Sequence, residues 1–211
     1  LSTINEFFQK YDGVIKHVKR IETEFSVLEQ IYYPSRCYEN SINKVFDAID
    51  YLGEIIANGD RVLLLGDYGI GKTFLCRYFT YVYSEKTHET GLVPIYISLE
   101  NKNVNLSVGK FIEDEIVKTG IHIKNKQERL ILFIDGFDLM DLQYDVIDIE
   151  RNIREIANIY VKRVVVTSRK IFFKNDSQIE RFNNFRVISL KYRTVGERMS
   201  YYEKNAPQIK N

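Results

Sequence analysis

The densest chemistry in the chain lies in eight consecutive residues, Gly66-Asp67-Tyr68-Gly69-Ile70-Gly71-Lys72-Thr73, spaced G-x-x-x-x-G-K-T. Glycines in such a loop let backbone N–H groups turn inward and approach phosphate oxygens closely. A helix opened by Lys72 and Thr73 adds the positive end of its dipole. The Lys72 ammonium is spaced to reach β- and γ-phosphates, the Thr73 hydroxyl to ligate Mg²⁺, and the binding stretch runs on to Phe74. The string has the flanks a phosphate loop requires, since the apolar run Val62–Leu65 precedes it and a helical pattern follows.

Two further stretches carry polar residues at the ends of apolar runs. Leu130–Ile134 reads as a buried parallel strand, and Asp135 stands at its carboxyl end, where an acid holds Mg²⁺ directly or through water. Gly136 permits a tight turn that brings Asp138 towards a γ-phosphate, there to orient or deprotonate a water. Val164–Val166 reads as another buried strand, ending in Thr167-Ser168-Arg169. Arg169 is placed to sense or stabilise charge developing on the γ-phosphate.

The elements that must position these residues follow from periodicity. Strands are expected at Arg61–Leu65, Leu92–Leu99, Leu130–Ile134, Val164–Val166 and Phe185–Leu190. Helices are expected over residues 1–20 with a continuation through Ile21, Phe25 and Leu28, and over Ser41–Ala57, Lys72–Ser84, Ser107–Thr119 and Ile149–Tyr160. A capping box at Thr194–Glu197 opens a last helix. Strand and helix alternate, so the expected fold is α/β, three layers around a five-stranded, mainly parallel sheet with helices on both faces. In such a sheet ligands bind at the carboxyl ends of the strands, where the loop, Asp135 and Arg169 all fall. Residues 1–35 read as a helical lead-in or linker, and residues 36–211 as the nucleotide-binding domain.

The 211 residues suffice for one α/β domain with extra helices, and 45% hydrophobic with 28% charged residues is ordinary globular composition. A net charge of +1 gives no global attraction to nucleic acid or to an acidic membrane. The basic clusters Lys16–Arg20 and Lys124–Arg129 are interrupted or balanced by acids and read as solvated faces. Cys37 and Cys76 form no disulfide framework, which fits a cytoplasmic protein, and Cys76 reads as a small core residue. No apolar run approaches the roughly 20 residues of a membrane span. His17, His88 and His122 have no metal-ligand spacing with Cys and read as surface residues. The chain begins at Leu1, which suggests a piece of a longer protein.

Together, LLLGDYGIGKT, LILFIDGFD and VVVTSRK, in that order, resemble the NACHT group of STAND signal-transduction NTPases. The second piece is the specific one: the strand-end Asp135 is followed by Gly136, apolar Phe137 and a second acid, Asp138. Thr167-Ser168-Arg169 is similar to the group's sensor segment. The resemblance spans residues 32 to 205. It implies a switch that is closed with ADP and assembles into homo-oligomers with ATP and Mg²⁺, with slow hydrolysis and with effector and sensor domains elsewhere on the same chain. Bacterial members are similar in the G-D-Y-G wording of the loop, and many of them serve in antiphage immunity. It also implies that the segment Tyr32-Tyr33-Pro34 lies beside the adenine, with Tyr33 packing on the base. Leu139 departs from the family pattern, which places Glu there. Two other readings compete, a DNA-associated ATPase of the AAA+ type and a small-molecule kinase. The first would normally have Glu at Gly136, and no Arg-rich lid supports the second.

Overall fold

The computed structural model describes residues 12–25, 35–39, 42–100, 106–121, 126–139, 146–192, 194 and 196. In chain order these form α1 (Asp12–Phe25), β1 (Arg36–Glu39), β2 (Lys44–Asp47), α2 (Ala48–Asn58), β3 (Val62–Leu65), α3 (Lys72–Glu85), α4 (Thr87–Thr90), β4 (Val93–Ser98), α5 (Val108–Lys118), α6 (Lys126–Arg129), β5 (Leu130–Asp135), α7 (Val146–Ala157), β6 (Arg163–Ser168), α8 (Asp176–Glu180) and β7 (Arg186–Lys191).

The sheet has seven strands in the order β2-β1-β7-β3-β6-β5-β4. The five expected strands are all present and run parallel. Two further strands, β1 and β2, form an antiparallel hairpin added beside β7. The sheet is therefore mixed, and larger than the five strands expected.

Burial explains why the parallel strands were legible. Leu63, Leu65, Leu130, Leu132, Ile134, Val164 and Val166 join one apolar layer with α5 and α7. Their alternate neighbours Val62, Leu64, Ile131, Phe133 and Val165 join a second layer with α2 and α3. A strand covered on both faces reads as a continuous apolar run.

The hairpin corrects the helix expected over Ser41–Ala57, which begins only at Ala48. Asp47 caps it, its carboxylate accepting from the Ile49 N–H at 3.0 Å. Asn43 takes a left-handed φ of 50° in the turn before β2. Ile42 and Val45, expected on the helix face, are 51% and 42% exposed. At the other end, Gly59 closes α2 as expected, with φ 86°.

The α7 helix starts and ends three residues before the span expected, which leaves Tyr160 beyond its end and 42% exposed. A second correction concerns His17, expected at the surface and found 5% exposed. Helix α1 covers the edge strand β4, and the His17 Nε2–H donates to the Pro94 carbonyl at 2.8 Å. His88 is exposed, while His122 lies outside the described residues. Cys37 and Cys76 are both buried and unpaired. The capping box at Thr194–Glu197 lies outside the described residues except for Thr194 and Gly196. No described helix is long and apolar enough to cross a membrane.

Candidate functional site

The carboxyl ends of β3, β5 and β6 converge as the sequence predicts. The turn after β3 takes left-handed backbone at Gly69 (φ 73°) and Gly71 (φ 102°), conformations that glycine adopts without a Cβ penalty. Gly71 is the N-cap of α3, so the helix begins with its first N–H groups free of any side-chain cap. The Gly66 N–H donates to the Ser168 carbonyl at 3.1 Å, tying the start of the loop to β6. At the apex, the Tyr68 carbonyl accepts from the Tyr192 hydroxyl at 2.8 Å.

The Lys72 ammonium donates to the carbonyls of Gly66 at 2.6 Å and Asp67 at 2.9 Å. The loop thus wraps its own lysine. Burial draws this ammonium below its ordinary value, while Asp138 and Asp135 pull it back up.

Asp135 is 4% exposed and held at both oxygens. The Thr167 hydroxyl donates to Oδ1 at 2.6 Å, and the Tyr96 hydroxyl donates to Oδ2 at 3.0 Å. Thr167 Oγ1 in turn accepts from the Gly136 N–H at 2.9 Å, so its proton is directed at Asp135. Burial, then the neighbouring Asp135, raise the Tyr96 hydroxyl well above its ordinary value, keeping it a donor.

Gly136 has φ 80° and opens a turn of 3₁₀ helix over Phe137–Leu139. The turn buries Asp138 to 4% exposure against β6. Its Oδ1 accepts from the Arg169 N–H at 3.1 Å, and its Oδ2 from Arg169 Nε at 2.5 Å. The turn therefore brings Asp138 to the cleft of the loop and engages it with Arg169. Leu139, where the resembled family has an acid, is 48% exposed at the rim.

A cleft of about 520 Å³ joins these groups, lined by residues 68–74 of the loop and by Arg77, Asp135, Gly136, Asp138, Leu139, Thr167 and Arg169. Gly66 and Asp67 contribute through the carbonyls that hold Lys72. Tyr68 is 86% exposed, and Phe74 stacks on Tyr78 with ring centroids 6.4 Å apart. Tyr33 lies outside the described residues; Ser35, two positions on, donates to the Ile70 carbonyl of the loop at 3.4 Å.

A divalent ion fits this donor set. Thr73 and Asp135 supply a hydroxyl and a carboxylate on one cleft, and the described residues hold no cluster of three or more His, Cys, Asp or Glu that would cage a metal alone. Mg²⁺ is characteristically held by one or two protein oxygens together with water and substrate phosphates.

Sequence reading alone passed over Tyr96 and Arg77. The signal for Arg77 was present in the sequence, while that for Tyr96 lies in the strand pairing. Arg77 stands four residues after Thr73, on the same face of α3. Tyr96 is one step of the two-residue strand period before Ser98, which pairs with Asp135.

No family model matches the sequence, and no curated protein matches it. Its fold is similar to that of the Aeropyrum pernix Orc1 protein, solved in complex with DNA, with a TM-score of 0.52 and 16% identity over 82% of this chain and 54% of that one. The Aquifex aeolicus DnaA structure, bound to AMPPCP, has a TM-score of 0.46 and 15% identity over 76% of this chain and 50% of that one. The C. elegans PCH-2 structure has a TM-score of 0.48 and 13% identity over 76% of this chain and 46% of that one. The chain thus spans about half the length of these structures. The sheet, the loop after β3 and the likeness to Orc1 define a P-loop NTPase fold.

Proposed function

We propose that this chain binds ATP and ADP with Mg²⁺ and works as a slowly hydrolysing switch, whose nucleotide state governs assembly with further copies and the activation of an effector. The convergence of Lys72, Asp135, Asp138 and Arg169 on the cleft of the Gly66–Thr73 loop carries this reading. In it, Lys72 leaves the loop carbonyls to meet the β- and γ-phosphates, and the N–H groups at the start of α3 take the phosphate oxygens. Thr73 and Asp135 would hold Mg²⁺, which when bound offsets phosphate charge. Asp138 and Arg169 respond to the γ-phosphate, the group by which ATP differs from ADP. The NACHT-type STAND assignment, with effector and sensor domains outside these residues and a role in bacterial antiviral signalling, rests on the wording of Asp135–Asp138 and Thr167–Arg169.

The test is calorimetric titration with ATP and ADP. Lys72→Ala should weaken both by about 100-fold, because a charge-assisted phosphate contact is lost from a partly buried site. Near wild-type affinity in the variant would overturn the phosphate-loop assignment.

One observation favours a second reading, a DNA-associated ATPase: the fold is similar to that of Orc1, solved in complex with DNA. The two part on what the ATP state does. A switch increases in mass by light scattering when ATP replaces ADP. The alternative instead shows duplex DNA raising ATP turnover.

A further inference from the structure

We infer that Tyr96, backed by Arg77, is a positioning residue that fixes the Asp135 carboxylate for a divalent ion. The inference rests on the nucleotide-binding reading and extends it to two residues outside its three motifs.

The geometry is specific. Tyr96 stands on β4, whose Ile95 and Ile97 point into the layer with α5, so its own side chain turns to the α3 side of the sheet. There its hydroxyl reaches across to β5 and meets Asp135 Oδ2 at 3.0 Å. Arg77, on the cleft-facing side of α3, sets its guanidinium over the Tyr96 ring, 5.4 Å from the centroid. Arg77 also hydrogen-bonds the Tyr96 hydroxyl, so one cation holds both the ring and the oxygen whose proton serves Asp135.

The consequence for Asp135 follows from counting donors. An ionised carboxylate has about four lone-pair sites. Thr167 occupies one on Oδ1 and Tyr96 one on Oδ2, with the two donors on different strands. The carboxylate plane cannot rotate without breaking one of these bonds. One lone pair on each oxygen remains for an ion, and its direction is set before the ion arrives. Hydrogen bonds that orient a metal-ligating carboxylate typically change metal affinity by 10- to 100-fold when removed. Here Thr167 keeps its bond in the variant, so the lower figure is expected. The phenylalanine variant keeps the ring beside Arg77 and removes the hydroxyl, and with it both the bond to Asp135 and the one to Arg77.

The experiment is calorimetry with a non-hydrolysable ATP analogue, in Mg²⁺ and in EDTA, on the full 211-residue chain and on Tyr96→Phe, Asp135→Asn and the double variant. Tyr96→Phe should bind as wild type in EDTA and lose about 10-fold of the affinity gained with Mg²⁺. In the Asp135→Asn background, where that gain is already lost, the second substitution should change nothing. Manganese bound to the protein–analogue complex, counted by its electron paramagnetic resonance signal, should weaken in parallel. An undiminished Mg²⁺ gain in Tyr96→Phe overturns the inference. So does an equal loss in EDTA, which marks a general effect on the cleft, and so does a wild type indifferent to Mg²⁺. A wild-type chain that binds the analogue in neither medium overturns the nucleotide reading itself.

Discussion

Asp138 gives both carboxylate oxygens to one arginine, and this constrains what it can do in turnover. Each oxygen accepts one N–H from Arg169 and retains a second lone pair. A water can be oriented only through those remaining sites, or after Arg169 has moved to a γ-phosphate. Asp135 and Asp138 are the only acids lining the cleft among the described residues, and Leu139 supplies none. Asp138→Asn should therefore hold ATP affinity within about threefold while single-turnover hydrolysis falls by about 100-fold or more, the scale of a lost positioned base. Unchanged hydrolysis would remove Asp138 from the mechanism and leave Arg169 and the metal site to carry it.

Among the elements, α1 and the β1–β2 hairpin flank the parallel strands, and both show where sequence stops being informative. Strands β3, β5 and β6 were legible because each is buried on both faces and so reads as an apolar run, and β7 by its alternation of buried Ile188 and Leu190 with less buried neighbours. The hairpin was not, because Ile42, Val45 and Phe46 continue the apolar spacing of α2 by accident, and only Asp47 and Asn43 mark the boundary. The loop, Asp135 and Arg169 were legible because strand ends are fixed by sequence. Tyr96 was not, because its partner lies on a neighbouring strand whose adjacency is a property of topology.

His17 is the parallel case on α1. Its surroundings include the Pro94 carbonyl and Arg20, and burial, opposed by the bond to Pro94, holds its pKa below the ordinary 6.5. A histidine with a lowered folded pKa takes up its proton more readily when unfolded. Its contribution is therefore complete above about pH 6.5 and is lost as pH falls from there towards the folded value. Gly13, one turn earlier, approaches the Gly120 backbone so closely that a Cβ would lie 2.2 Å from its carbonyl oxygen, so α1 has little room to adjust. Wild type should lose more melting temperature between pH 7.5 and pH 5.5 than His17→Gln, which keeps a donor for Pro94 without a titrating ring. Equal losses would show that His17 does not titrate against the fold.

At the scale of the whole molecule, one sheet serves two apolar layers, and strands β3, β5 and β6 contribute to both. Neither layer can melt without exposing the other face of the same strands, so unfolding should be a single cooperative transition. The cleft draws its residues from the ends of those same three strands and from the start of α3. A nucleotide bound there is linked to the global transition, not to the opening of a single loop. A ligand at 100 times its dissociation constant stabilises the folded state by about 2.7 kcal/mol. For a chain of this length each kcal/mol moves the midpoint by roughly 2–4 °C, so Mg²⁺–ADP should raise it by about 5–10 °C. Because the chain contains no tryptophan, scanning calorimetry is the direct measurement. The whole endotherm should move as one peak, and Lys72→Ala should abolish the shift while melting near the wild-type temperature without nucleotide, since among the described residues its hydrogen bonds run to carbonyls of its own loop. Two resolved peaks, of which nucleotide moves one, would show that the layers unfold separately; an equal shift in Lys72→Ala would place the nucleotide elsewhere on the molecule.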